Sequence, residues 1–190
     1  MGNRLSKIVT RTGDTGSTGL GDGSRLRKSD ARVDCMGDID ELNSWIGMLR
    51  AALATDDEIQ TVLSQIQHDL FDLGGELAMP GYTALNDDMV LQLDDALEDL
   101  NADLPPIKEF ILPGGNEAAA RCHMARTVAR RAERTYVALL DRETSATEDK
   151  ANPLGLQYLN RLSDLFFVMA RSLARRDGGS EVLWQTRRKK

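Results

Sequence analysis

Apolar residues recur at three- and four-residue spacing through five stretches of the chain, which predicts five helices. From about Asp30 to Leu53, residues Cys35, Ile39, Leu42, Ile46, Leu49 and Leu53 fall on one side, with Asp40, Asn43 and Gly47 on the other. A second helix runs from about Asp56 to Ala78 through Ile59, Val62, Leu63, Ile66, Leu70, Leu73 and Leu77, and Pro80-Gly81 stops it. The third, roughly Asn86 to Asp103, is acidic and the most exposed of the set. The fourth spans Asn116 to Leu140, where Ala125, Val128, Ala129, Ala132, Tyr136, Leu139 and Leu140 gather as a core-facing band. The fifth runs from Asn152 to about Asp177, with Pro153 suited to the first helical position. Its core side holds Tyr158, Leu159, Leu162, Leu165, Phe166, Met169 and Leu173, and its polar side Asn160, Ser163, Asp164 and Arg171.

The remaining segments carry breakers. Residues 8–29 interleave Gly13, Gly16, Gly19, Gly21 and Gly23 with Ser and Thr, a composition that favours irregular backbone over helix or strand. Leu104-Pro105-Pro106 precedes an apolar connector, Phe110-Ile111-Leu112-Pro113-Gly114-Gly115, too short for a sheet. No repeat of solenoid length is visible. The expected fold is therefore all-α, a single-domain five-helix bundle over residues 30–178, with a glycine-rich N-terminal arm (1–29) and a tail (179–190).

A chain of 190 residues is long enough to bury a core without disulfides or a structural metal. With 24 Lys plus Arg against 30 Asp plus Glu, the net charge of −6 argues against bulk binding to nucleic acid or an anionic membrane, so any anion site must be local. Cys35 and Cys122 lie within helical patterns without metal-ligand spacing and are expected to be buried, reduced thiols. No long apolar run or signal-peptide pattern is present, and the expected location is the cytoplasm. Met1-Gly2-Asn3-Arg4-Leu5-Ser6 fits the permissive myristoylation pattern by chance, and Arg187-Arg188-Lys189-Lys190 is expected to be a solvated end.

The fourth helix changes this picture. Arg126, Arg130 and Glu133 share one stripe, joined by His123, Thr127 and Arg134. Such a face can grip a polyanion through forked, charge-assisted hydrogen bonds, or it can be a solvated surface laced by intrahelical ion pairs. In the arm, Thr10, Thr12, Gly13, Thr18 and Gly19 offer amides and hydroxyls to phosphate oxygens, with Lys28 as a point charge, yet no Walker motif exists. A di-iron bundle is excluded because neither His68 nor His123 has a Glu three residues before it. Each histidine could serve as an acid-base group or as a hydrogen-bonded structural residue. A non-catalytic helical module gripping a nucleotide, RNA or an acidic protein is the competing function.

Three blocks, taken in order, narrow these alternatives: Thr10-Arg11-Thr12-Gly13-Asp14-Thr15-Gly16 with Lys28; Phe110 to Gly115 leading into Ala125-Arg126-Thr127-Val128-Ala129-Arg130-Arg131-Ala132-Glu133-Arg134; and Tyr158-Leu159-Asn160-Arg161-Leu162-Ser163-Asp164. Together with Gly37-Asp38-Ile39-Asp40-Glu41-Leu42, they resemble the ATP:cob(I)alamin adenosyltransferases of the propanediol-utilisation type, over nearly the whole chain from Lys7 to Arg176. The departures are Arg121-Cys122 where the family usually has apolar residues, and Met36 where a small or aromatic residue is common.

This resemblance implies a homotrimer with active sites between subunits, transferring the 5′-deoxyadenosyl group of ATP to cob(I)alamin with release of triphosphate. It implies ATP contacts from Thr10, Arg11, Thr12, Gly13, Thr18, Gly19 and Lys28 in the arm, from Arg130, Arg131, Glu133 and Arg134 in the fourth helix, and from Asn160. It pairs Asp40 with Arg126 across the subunit boundary and lays Phe110 against the lower face of the corrin, where the ring displaces the axial base. Mg²⁺ would accompany ATP. A reductase that supplies Co(I) and an adenosylcobalamin-dependent acceptor enzyme are the partners such chemistry calls for.

Overall fold

The computed structural model describes residues 8–143 and 150–186; both the myristoylation-like start and the basic end at Arg187 to Lys190 lie outside them. Five helices form: α1 (Ala31–Arg50), α2 (Ile59–Ala78), α3 (Asp87–Ala102), α4 (Glu117–Arg142) and α5 (Pro153–Ala174). Four start on a side-chain cap that satisfies an otherwise orphaned backbone N–H: Asp30 accepts from Arg32, Asn86 from Met89, Asn116 from Ala119 and Asn152 from Leu154. α2 instead begins just after Asp57, whose carboxylate accepts from the Ile59 N–H at 3.0 Å. The helix starts expected at Asn86, Asn116 and Asn152 are these caps, whereas the first and second helices are shorter than expected by a few terminal residues.

α4 is the central element, packed against α1 on one side and α5 on the other, while α2 lies on α1 and α3 on α5. Tyr136, Tyr158, Phe166, the leucines of α1 and α2, and Leu159, Leu162, Leu165 and Leu173 of α5 are fully buried, each worth roughly 1.5–3 kcal/mol of apolar burial. α3 buries only Val90 and Leu93, as its acidic sequence predicts. Some polar groups inside the bundle are paired: Tyr158 donates to Asp69 at 2.9 Å, and the Asn43 and Gln67 amide nitrogens donate to each other's backbone carbonyls at 3.0 and 3.1 Å, while Asn43 Oδ1 is left without a hydrogen-bond partner among the described residues. Both cysteines are fully buried. Burial pushes the Cys35 thiol up to about 12 and the Cys122 thiol higher still, and Cys122 donates to the Phe166 carbonyl at 3.2 Å.

Several expectations need correction. Asn43, Ser163 and Arg171, assigned to polar faces, are buried, and so is His123, assigned to the cationic stripe; Leu140 is only half-buried. A helix with neighbours on both sides has no wholly solvated face, so polar residues with partners sink into the contact. The glycine-rich arm is not wholly irregular: β1 (Ser17–Gly19) and β2 (Arg25–Arg27) form an antiparallel hairpin with Thr18 opposite Leu26. Its turn is built on Asp22, which accepts from the Ser24 N–H and hydroxyl, and on Gly23 at φ 88°. The connector also pairs, since Ile111 forms an antiparallel bridge with Leu183.

Candidate functional site

The successive arginines of α4 face different neighbours because each residue advances by about 100° around the helix. Arg126 is half-buried, with Nε donating to His123 Nδ1 at 3.3 Å and its guanidinium 6.0 Å from the centre of the Phe167 ring on α5. Burial, reinforced by Arg126, pulls His123 down from the ordinary 6.5 to about 4, so this histidine is neutral at neutral pH and accepts from Arg126. Arg126 itself is lowered by burial and then by the charge of Arg130, one turn away. Arg130 is exposed, and its guanidinium has no partner among the described residues; Arg134 donates to the Arg130 carbonyl at 2.8 Å. Two like charges at a one-turn spacing, neither met by a carboxylate, form an anion-receptive surface.

Glu133 closes the end of this surface by accepting from Asn160 of α5 at 2.9 Å, which ties the two helices where both are exposed. Arg131 is turned elsewhere. It donates through Nε to Asp38 of α1 at 2.9 Å and also contacts Glu41, while Thr135 donates to the other Asp38 oxygen at 2.9 Å. The Asp38 hydrogen bond is the main cause that raises Arg131 above its ordinary value. Of the arginines assigned to nucleotide, Arg131 is thus engaged by α1 through Nε and Nη2.

Asp40 lies exposed on the opposite side of α1, on a groove of about 520 Å³ shared with α2 and lined by Met36, Gly37, Phe71 and Gly74. Its carboxylate meets no cation among the described residues, and within the chain it makes no hydrogen bond or ion pair with Arg126.

In the arm, the Arg11–Gly16 turns bring Thr12, Gly13 and Lys28 together. Arg11 has φ 60°, Gly16 donates to the Gly13 carbonyl at 3.1 Å, and Lys28 donates its backbone N–H to Gly16 at 2.9 Å. A Cβ on Gly13 would sit 3.2 Å from both the Lys28 Nζ and the Ser17 carbonyl oxygen, so a side chain there would crowd the amine. Thr10 and Thr12 share a hydroxyl contact of 3.0 Å, and Arg25 donates to the Thr12 carbonyl at 2.8 Å. Thr18 and Gly19 lie farther along, on β1. The turn docks on the end of α2 through Gly21 N–H to Ala78 O at 2.6 Å. Among the described residues, no hydrogen bond or ion pair joins Thr10–Lys28 to the Arg126–Arg134 face of the same chain.

Phe110 stands 78% exposed at the far end of the α4–α5 layer. Its ring meets Trp184 edge-on, with centroids 6.3 Å apart and planes at 76°. The backbones of these segments are paired by Leu112 N–H to Val182 O and Trp184 N–H to Phe110 O, both 2.7 Å. Sequence reasoning had no place for Trp184; the apolar triplet Val182-Leu183-Trp184 next to the polar end was the available signal.

Residues 8–173 match the cobalamin adenosyltransferase family. The chain is 56% identical over 188 residues to a cobalamin adenosyltransferase of Cupriavidus metallidurans, covering 99% of each chain. It is 43% identical to the corrinoid adenosyltransferase of Mycobacterium tuberculosis, covering 97% of this chain and 96% of that one. Among solved structures, a variant PduO-type ATP:corrinoid adenosyltransferase from Lactobacillus reuteri complexed with cobalamin and ATP superposes with a TM-score of 0.87 at 34% identity, covering 95% of this chain and all of the other. Since the match takes in the arm, the arginine face and α5 alike, the chain belongs to the cobalamin adenosyltransferase family.

Proposed function

We propose that the chain transfers the 5′-deoxyadenosyl group of ATP to cob(I)alamin, giving adenosylcobalamin and triphosphate. Beyond family membership, the observation that carries this reading is the pair of guanidiniums at Arg126 and Arg130, met by no carboxylate among the described residues and flanked by the Glu133–Asn160 bridge. In the reaction the electron pair of Co(I) forms the Co–C bond at the ribose 5′ carbon, while the C–O bond breaks and its electrons leave with triphosphate. Cobalt is the nucleophile, so the chain needs no activated side chain of its own. Its tasks are to align the two reactants and to stabilise a highly anionic leaving group.

The second task falls to Arg130, with Arg134 and Lys28, and the Thr10–Gly13 turn and the Thr18-Gly19 strand close over the nucleotide. Arg11 is exposed on that turn and free to join them. Asn160 and Glu133 serve the adenosine or metal end. Among the described residues no group of three or more His, Cys, Asp or Glu gathers into a metal site. A single carboxylate, Glu133, suits Mg²⁺ held mainly by phosphate oxygens and water; when bound, that ion offsets phosphate charge. Phe110 serves the alignment task, its exposed ring covering the lower face of the corrin and keeping water and the axial base away from cobalt.

The homotrimer is the assembly this reading requires. Its support is the Asp40 carboxylate, unpartnered among the described residues, and the lack there of any hydrogen bond or ion pair between the arm and the arginine face of one chain, both of which a neighbouring subunit would complete. A single domain working in the cytoplasm, supplied by a reductase and handing product to an adenosylcobalamin-dependent enzyme, belongs to the same proposal; no described helix is long and apolar enough to cross a membrane.

The test is anaerobic incubation with MgATP and chemically reduced cob(I)alamin, following loss of Co(I) absorbance and appearance of adenosylcobalamin and triphosphate. Product above a protein-free control supports the reading, and ATP binding without cobalt alkylation replaces it with a nucleotide-binding module. In the same assay, Phe110→Ala is expected to leave ATP affinity within about twofold, since truncating an exposed ring away from the nucleotide is nearly neutral for it. The variant should lower the four-coordinate Co(II) fraction, and an unchanged Co(II) spectrum would discard the role given to Phe110.

A further inference from the structure

Arg171 of α5 is the joint on which both segments around Phe110 hang. Its side chain is 4% exposed, too deep for an unpaired charge, and it spends its donors on two loops rather than on another helix. Nη2 donates at 2.7 Å to the carbonyl of Pro105, upstream of Phe110 in the connector. Nε donates at 2.5 Å to Glu181, upstream of Trp184 in the C-terminal strap, and Glu181 also accepts from Arg175 at 2.8 Å. The Glu181 side chain is itself only 8% exposed, although the residues that follow it, from Val182 to Thr186, are exposed. Beyond this fork the connector and the strap are held to each other by two backbone hydrogen bonds and the Phe110–Trp184 ring contact.

A two-residue ladder at the surface does not hold a chain end in place unaided, since fraying costs little where apolar burial is small. The charge-assisted fork is a strong contact of the strap. We propose that Glu181 is a positioning residue for the adenosyl transfer: paired with Arg171, it latches the C-terminal strap against residues 110–112 and thereby fixes the Phe110 ring. This rests on the corrin-facing role of Phe110 given above.

The experiment compares the full-length protein with Glu181→Gln, an isosteric loss of charge, and with Arg175→Ala, which removes the outer prong of the fork from a half-exposed position and leaves the fold intact. Glu181→Asp serves as the conservative rescue. Hydrogen exchange at the Leu112 and Trp184 amides reads the latch directly, without reference to cobalamin. For Glu181→Gln, faster exchange at both amides is expected, together with a KM for cob(I)alamin raised about tenfold, the usual scale for losing one charge-assisted bond. The KM for ATP should stay within about twofold because Glu181 pairs with Arg171 and Arg175 of α5 and not with the arginine face of α4. Arg175→Ala should move the same readouts in the same direction by less, and Glu181→Asp should recover them in part. Unchanged exchange at both amides in Glu181→Gln and Arg175→Ala overturns the latch. Faster exchange with an unchanged KM for cob(I)alamin overturns its link to catalysis. If Phe110→Ala also leaves corrinoid handling untouched, it is the role of Phe110 that has failed rather than the latch.

Discussion

Neighbouring arginines on α4 should fail in opposite ways. Arg130→Ala removes an exposed guanidinium that has no partner among the described residues, so the change in folding stability should stay within about 0.5 kcal/mol. If that guanidinium meets the leaving triphosphate, its loss resembles removal of one preorganised donor and should cut turnover about 10²–10³-fold. Arg131→Ala removes a side chain that joins α4 to α1 through Asp38 and Glu41, with the Asp38 side chain 18% exposed and that of Glu41 47%. The exposed pair contributes little and the Asp38 hydrogen bond more, for a total of about 1–2 kcal/mol. In a domain of this size that lowers the melting temperature by about 2–8 °C. Calorimetric melting and single-turnover Co(I) consumption at saturating MgATP separate the two outcomes. The assignment of these arginines collapses if Arg130→Ala turns over near normally, or if Arg131→Ala melts with the parent protein while losing all activity.

Other outcomes can be checked alongside. Single alanine changes at Asp40 and Arg126 should each impair cobalamin use, and a double-mutant cycle should show coupling; strict additivity removes the intersubunit pair. His123 titrates near 4 when folded against 6.5 unfolded, so the unfolded chain binds the extra proton in between, and stability should be complete above about pH 6.5 and decline as pH falls toward 4. His123→Gln, which keeps an acceptor for Arg126, should flatten melting temperature against pH in that window; an identical slope refutes the assignment. A Cβ at Gly155 would collide with the Tyr136 hydroxyl and crowd Leu73, so Gly155→Ala should destabilise by about 1–3 kcal/mol in denaturant titration. No loss there would mean that the α4–α5 contact adjusts freely.

The helices were legible because each hides a continuous stripe whose period is set by the backbone, and because asparagine caps announce themselves next to apolar repeats. What periodicity could not convey was the identity of a neighbour. Arg171 looks like a surface cation until Glu181 and Pro105 arrive from outside its helix, and Arg131 looks like Arg130 until α1 presents Asp38. His123 shares a stripe with Arg126, yet α4 is flanked on two sides and that edge of the stripe is covered. The hairpin in the arm left a fainter trace, because its three-residue strands carry no alternation, and only Asp22-Gly23 between two Ser/Thr/Arg runs signalled a turn. The family resemblance supplied Phe110, but nothing in the apolar connector itself said that its ring would stand in solvent beside a tryptophan.

The two cysteines acquire a chemical meaning from the reaction around them. A protein that handles a low-valent cobalt centre and an electrophilic ribose carbon exposes its own nucleophiles to both, as a stray ligand for the metal or as a rival acceptor for the alkyl group. Here Cys35 and Cys122 are wholly enclosed and their thiols stay protonated far above neutral pH. The bundle therefore keeps its two thiols out of competition by burial, so that neither cysteine contends with cobalt for the adenosyl group.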